Sequence, residues 1–272
     1  MIRATVFLIL SCVIFSGCNR PDLVSAWRDH PIVINGKYTD FGNATAYYDE
    51  KEKVTLSLYN DNEFLYICLI SRNRRMENQL LESGLMVWFD PEAGKNKGFG
   101  IRFPVGMQAM GMPLMEPGSA ARARPESEEE AAAEDEKTRV KARMRERELE
   151  KRLEALVDLQ EELEIITGPG KESRVKLSLE EAAKQGIEAK TGRENGYFVY
   201  GLKVPLVKNS KYQYAIAAKE GKPIGFGIEM APMVEIEMPG EEPDKPGMHT
   251  DGMVAEGFRL WTTITLAQSN NQ

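Results

Sequence analysis

The sequence predicts a mainly β protein, an antiparallel β-sandwich interrupted by one long, charged α-helix. Three observations carry that prediction. First, from Val54 to Pro104 and again after residue 173, short apolar runs alternate with turn residues, as in VTLSLY, NDNE, FLYICLIS, LMVWFD, PEAGKNKG and FGIRFPV. β-Branched and aromatic side chains suit a pleated surface, and Asn, Asp, Gly and Pro suit turns, so this is the pattern of hairpins. Second, residues 126–164 hold fifteen acidic and eight basic residues with no Gly or Pro, which favours helix. Third, 272 residues with 42% hydrophobic content are enough to bury a sizeable core.

At the N-terminus, Arg3 precedes an apolar run from Ala4 to Phe15. A dozen or so residues make a signal peptide, whereas crossing a bilayer takes about twenty. Phe15, Ser16 and Gly17 before Cys18 resemble the lipobox of bacterial lipoproteins. The resemblance implies a leader over residues 1–18, lipid chains on Cys18 and, with Asn19 following, the outer membrane of a Gram-negative envelope. Two or more acyl chains anchor stably, since each buried CH₂ adds about 0.8 kcal/mol. Cys12 leaves with the leader and Cys68 sits alone in LYICLI, so the mature chain makes no internal disulfide.

The first part of the sandwich is expected over residues 19–106 and the second over 173–267, with a polar tail at 268–272. Asn195-Gly196 is a tight-turn signal within the second part. The stretch 107–172 holds a methionine-rich loop and the helical insert, whose segment 126–164 carries a net −7, the value of the whole chain. Glu128 to Glu136 suit a helix N-terminus, and Asp135 with Arg139 and Glu148 with Arg152 are favourable i,i+4 pairs. Leu149, Leu153, Leu156 and Leu163 form a narrow apolar stripe, and Gly168-Pro169-Gly170 is expected to stop the helix. The stripe either packs on its own body or zips to a partner helix as a coiled coil.

AWRDHPIVINGKYTDF resembles the opening of carbohydrate-binding family 9-like (DOMON-related) β-sandwiches, through Trp27, Ile34, Asn35, Gly36, Asp40 and Phe41. NDNEFLYICLIS, LMVWFDP, GYFVYGLKVPL and FRLWTTITLA are similar to later strands of that family. Asn35 and Phe41 stand where the family has Asp and a second Trp. The resemblance implies a binding module, and in its sugar-binding members aromatic faces clamp a saccharide. Trp88 and Trp261 are expected in the sandwich core and Trp27 over an open end, leaving Tyr47, Tyr48 and Tyr197 as substitutes for a clamp.

Catalytic signals are sparse, and no enzyme is expected; a hydrolase with an unrecognised site is the alternative. A Ser-His-acid triad would have to use His30 or His249. GPGKES is no phosphate loop, because Ile165 and Glu172 occupy the positions that need Gly and Ser or Thr. Asp90 and Glu92 could offer oxygens to calcium, but Lys95 and Lys97 oppose it. With a net charge of −7, nucleic acid is not an expected partner.

Two strands echo each other, GFGIRFP at 98–104 and GFGIEMAP at 225–232, and each leads into methionines. The first stretch has Met107, Met110, Met112 and Met115; the second has Met230, Met233, Met238, Met248 and Met253, with His249 among them. If the two strands hold related places in the two halves of the sandwich, both stretches leave at one end. No cofactor is expected, and these residues with Trp27 are candidates for a partner or ligand surface. Thioethers also suit Cu(I), and methionine can serve as an axial haem ligand, so copper or haem is the alternative.

Overall fold

The computed structural model describes residues 22–42, 44–107, 140, 143, 144, 147, 151, 160–230 and 258–269. Within them lie β1 (Leu23–Val24), β2 (Ala26–Trp27), β3 (Tyr47–Asp49), β4 (Val54–Asn60), β5 (Phe64–Ser71), β6 (Leu85–Asp90) and β7 (Phe99–Arg102). After the insert come β8 (Glu162–Ile166), β9 (Arg174–Ser178), β10 (Glu188–Glu194), β11 (Tyr197–Pro205), β12 (Ile224–Met230) and β13 (Arg259–Thr265). Helix α1 spans Arg74–Ser83 and α2 spans Leu179–Lys184.

The strands form two sheets: seven strands in the order β1-β13-β12-β6-β7-β8-β9, and six with the path β10-β11-β5-β4-β2 plus β3 on β4. Neighbours are antiparallel except β1 with β13 and β2 with β4. The chain thus steps from one sheet to the other between Leu23 and Trp27. Ser25 fastens that step: its hydroxyl donates to Asn60 Oδ1 at 2.5 Å, and the same oxygen accepts from Ala267 N at 2.9 Å.

Alternation decides the core. Leu65, Ile67 and Leu69 of β5, with Leu202 and Val204 of β11, share one apolar cluster with Val87 and Phe89 of β6 and Phe226 and Ile228 of β12. All are at most 1% exposed, and each such side chain contributes about 1.5–3 kcal/mol by leaving water. Helix α1 adds Met76, Leu80 and Leu81 to the cluster. Asn73 caps it by accepting from Arg75 N and Met76 N, and Gly84 ends it at φ 85°. Ser178 and Glu181 form a capping box on α2.

Two expectations are corrected. Leu163, counted on the helical stripe, is fully buried in β8, and Gly168-Pro169-Gly170 joins β8 to β9 instead of stopping a helix. The seven-residue interval from Leu156 was a coincidence; Leu163 and Ile165 alternate inward, and β8 is hydrogen-bonded on both edges. The second part of the sandwich therefore starts at Glu162. Within 126–164, Val140, Arg143, Met144, Arg147 and Lys151 are helical and exposed, while Leu149, Leu153 and Leu156 lie outside the described residues. The Asn195-Gly196 turn is as expected, with φ of 51° and 77°.

Candidate functional site

Arg102 of β7 and Glu229 of β12 both pair with Met86 of β6, so the two strands run in the same direction on either side of β6. They belong to one sheet, not to two halves, and the chain leaves both at the same end. Met107 is half-buried. Met230 is corrected from a surface candidate to a core residue: it is 4% exposed and points inward with Ile228. Met110, Met112, Met115, Met233, Met238, Met248, His249, Met253 and the proposed lipid site Cys18 lie outside the described residues. Trp27 is a half-buried strand residue opposite Asn60.

Trp88 and Trp261 are also corrected. Neither belongs to the inter-sheet core; with Ile166 they form a separate cluster, against which Met86 packs. Along β6, Leu85, Val87 and Phe89 face inward, so Met86 and Trp88 must face out. Trp261, Gly227, Trp88 and Gly100 are cross-strand partners in one row. A Cβ on Gly100 would sit 2.5 Å from the Trp88 ring, and one on Gly227 would sit 2.6 Å from the Trp261 ring. The glycines thus let the indoles lie close against the sheet.

Glu229 organises the charges beside this row. Its carboxylate accepts from Trp261 Nε1 at 3.1 Å and Lys97 Nζ at 2.5 Å, with Arg259 Nε 3.5 Å away. Burial raises its pKa, but the hydrogen bonds from Lys97 and Trp261 and the charges of Lys97 and Arg259 outweigh it, leaving a net lowering. Trp88 Nε1 is buried with no hydrogen-bond partner among the described residues. Both indoles are under 8% exposed, so this row offers no open stacking face.

The outward face of the six-stranded sheet does. There Ile34 sits over Gly201, and Gly36 packs backbone to backbone on Gly192, laying the segment after Trp27 across β10 and β11. Glu194 pins it by accepting from Tyr38 N at 3.0 Å and Thr39 N at 3.2 Å. Tyr38 stands edge-on to Tyr197 at 5.6 Å, Arg72 lies 4.0 Å over the Tyr197 ring, and Asn195 Nδ2 donates to the Tyr38 hydroxyl at 3.3 Å. Tyr48, Thr55, Ile70 and Val199 form a row on the same face, and Tyr48 is 53% exposed. Three strand spacings separate Tyr48 from the β11 column, roughly 14 Å. The result is a strip with a tyrosine on one side and an aromatic, amide and guanidinium wall on the other. Of the tyrosines singled out in the sequence, Tyr48 and Tyr197 border this strip, whereas Tyr47 packs on the inter-sheet core. Arg72, Tyr38 and Asn195 were missed, although Asn195 lies in the recognised turn.

Other candidates are structural. Asp90 accepts from Glu92 N at 3.0 Å and Asn96 N at 2.9 Å, which uses its oxygens to hold the hairpin loop. Among the described residues no group of His, Cys, Asp and Glu is placed to hold a metal. Cys68 is 2% exposed, and burial pushes its thiol well above the ordinary range, so it is inert. The Asp29 side chain, then the Asp40 carbonyl, raise the pKa of His30. Glu77 and Arg193, unremarked in the sequence, form an ion pair joining α1 to β10, and Glu77 is 4% exposed.

Among solved structures, the chain is similar to a carbohydrate binding module of family 9 from Caldicellulosiruptor kristjanssonii in complex with glucose. The identity is 9% and the TM-score 0.39, over 93% of this chain and 99% of that one. The two-layered fold rests on its own strand pairing. No protein-family model matches the chain, and no curated protein matches it significantly.

Proposed function

We propose that this chain is a non-catalytic saccharide-binding module held in the cell envelope by lipid on Cys18. The observation that supports binding is the exposed Tyr48 ring, set across the half-buried Thr55 and Ile70 from the Tyr38, Tyr197 and Arg72 wall. Tyrosine rings offer apolar faces to the C–H face of a sugar, while Arg72 and Asn195 carry donors for its hydroxyls. The strip is fixed before any ligand arrives, since Glu194 and the glycine contacts hold the Tyr38 segment, which limits the entropy lost on binding. The lipobox-like residues before Cys18 support the anchor, on the outer membrane.

A glycan array tests the ligand class with the parent and a Tyr48→Ala, Tyr197→Ala double variant. Binding by the parent that the double variant loses supports the proposal; silence on every array, or equal binding by both, contradicts it. Palmitate labelling of the parent against Cys18→Ser tests the anchor, and equal labelling removes it. The second reading, copper held by Met107, Met110, Met112, Met115 and His249, draws support from the shared exit end of β7 and β12. Titration with Cu(I) against a competing chelator decides it, and no retention removes it.

A further inference from the structure

We propose that the end of the sandwich built by residues 206–223 is a docking surface for anionic phospholipid headgroups. The inference deepens the lipid-anchored reading and rests on it for orientation.

The segment LVKNSKYQYAIAAKEGKP follows β11 and leads into β12. It carries Lys208, Lys211, Lys219 and Lys222 against one acid, Glu220, a net of +3 in a chain of −7. All four lysines are exposed. Beside them Val207 is 54% exposed, an apolar side chain presented among cations. That pairing of lysines with an exposed apolar group suits an interface where headgroups meet acyl chains better than a purely polar polyanion.

The surface is ordered. Asn209 Oδ1 accepts from Lys211 N and Tyr212 N at 2.8 Å each, and the Tyr212 ring meets Phe64 at 5.4 Å. Ile216 N donates to Pro205 O at 3.0 Å and Ala218 N to Leu206 O at 2.8 Å, which joins the two lysine loops side by side. The charges around them are mixed but mostly spoken for. Glu92 pairs with Lys219 and so neutralises one of the four lysines, which leaves Lys208, Lys211 and Lys222 to carry the surface; Glu188 pairs with Lys203, Asp61 is held by Arg28, Lys95 on the neighbouring hairpin adds an exposed cation, and Glu63 and Glu220 are exposed acids of this end.

The first strand lies at this end. Leu23 and Ile224 both pair with Ile264, so β1 and the exit of the lysine loop lie at the same level of the sheet. Asp22 is held there by the Thr263 hydroxyl. Four residues from Cys18 to Asp22 span at most roughly 14 Å. A lipidated Cys18 therefore keeps the body within contact range of the bilayer, and the lysines select which side lies down. The strands β7 and β12 end at the opposite end of the sheet.

The test uses the chain from Asn19 onward, which contains every described strand, spun down with phosphatidylcholine vesicles with and without phosphatidylglycerol. The expected result is association at low salt with the phosphatidylglycerol vesicles alone, reduced about tenfold or more in K208E/K211E/K222E. Unchanged circular dichroism of the triple variant and of a K51E/K53E control at the opposite end shows that folding is intact. Equal association with both vesicle types, none with either, equal binding by the triple variant, or preference for a soluble nucleic acid over vesicles overturns the proposal. Palmitate labelling separates the two readings. If vesicle binding fails while Cys18 is still labelled, the docking surface falls and the anchor stands; if the label is lost while vesicles are still bound, the reverse holds.

Discussion

Gly227 and Gly100 are glycine because of what lies on them. A Cβ at Gly227 would meet the Trp261 ring at 2.6 Å, and that ring is held by Glu229 and packed on by its neighbours. Gly227→Ala is therefore expected to destabilise the body by about 1–3 kcal/mol in urea unfolding, the range for forcing atoms into a packed site. Replacing Gly196, whose Cβ would meet nothing within 4 Å among the described residues, with Asn is the contrasting change and should cost little, since Asn tolerates positive φ. Glu77→Ala removes one partner of a mostly buried ion pair and should cost about 3 kcal/mol; the Glu77→Leu, Arg193→Leu double change should cost less than the two single changes summed. Glu229 gives a pH signature. Its folded pKa is lowered, so its contribution to stability is complete above the unfolded carboxyl value of 4.5 and is lost as pH falls through the folded one. Stability of the parent should therefore fall more steeply below that value than stability of Glu229→Gln, measured by urea unfolding across an acid pH series.

Among the elements, the central hairpins were legible because β4 and β5 are short apolar runs parted by Asp, Asn and Glu. The two short helices were not read from the sequence, although Asn73 followed by Met76, Leu80 and Leu81, and the Ser178 to Glu181 box, are both start signals. β8 was lost to the helix because ELEII continues a charged run, and its inward alternation over five residues is too short to outweigh the leucine spacing. The tryptophans were assigned inward because LMVWFD is apolar on both faces, so alternation does not reveal which face is the core. The usable signal was the glycines alternating in GFGIRFP and GFGIEM, which mark a face where a large ring is laid down. Asn73→Ala should cost about 1 kcal/mol of stability by removing a cap that serves two backbone N–H groups. β7 and β8 are antiparallel neighbours, so replacing residues 108–159 with a short Gly/Ser linker should leave the sandwich folded. Near-ultraviolet circular dichroism of that variant checks it.

For the molecule as a whole, residues far apart in the chain close one core: β1 is tied to β13, and the final strand sits between β1 and β12. The tyrosine-bordered strip on one sheet and the indole row on the other both depend on that closure, since each is the outward face of a sheet whose inward face is buried against its neighbour. The composition announced a body large enough to bury such a core, whereas which strands pair, and in what register, depends on contacts between distant residues that local sequence does not encode. The direct test of closure is urea unfolding of two single-tryptophan variants, one keeping Trp27 in the six-stranded sheet and one keeping Trp261 in the seven-stranded sheet. Within each variant, the tryptophan signal and the far-ultraviolet circular dichroism should share one midpoint, as a single cooperative unit requires. A tryptophan midpoint that differs from the far-ultraviolet midpoint in either variant would contradict the account.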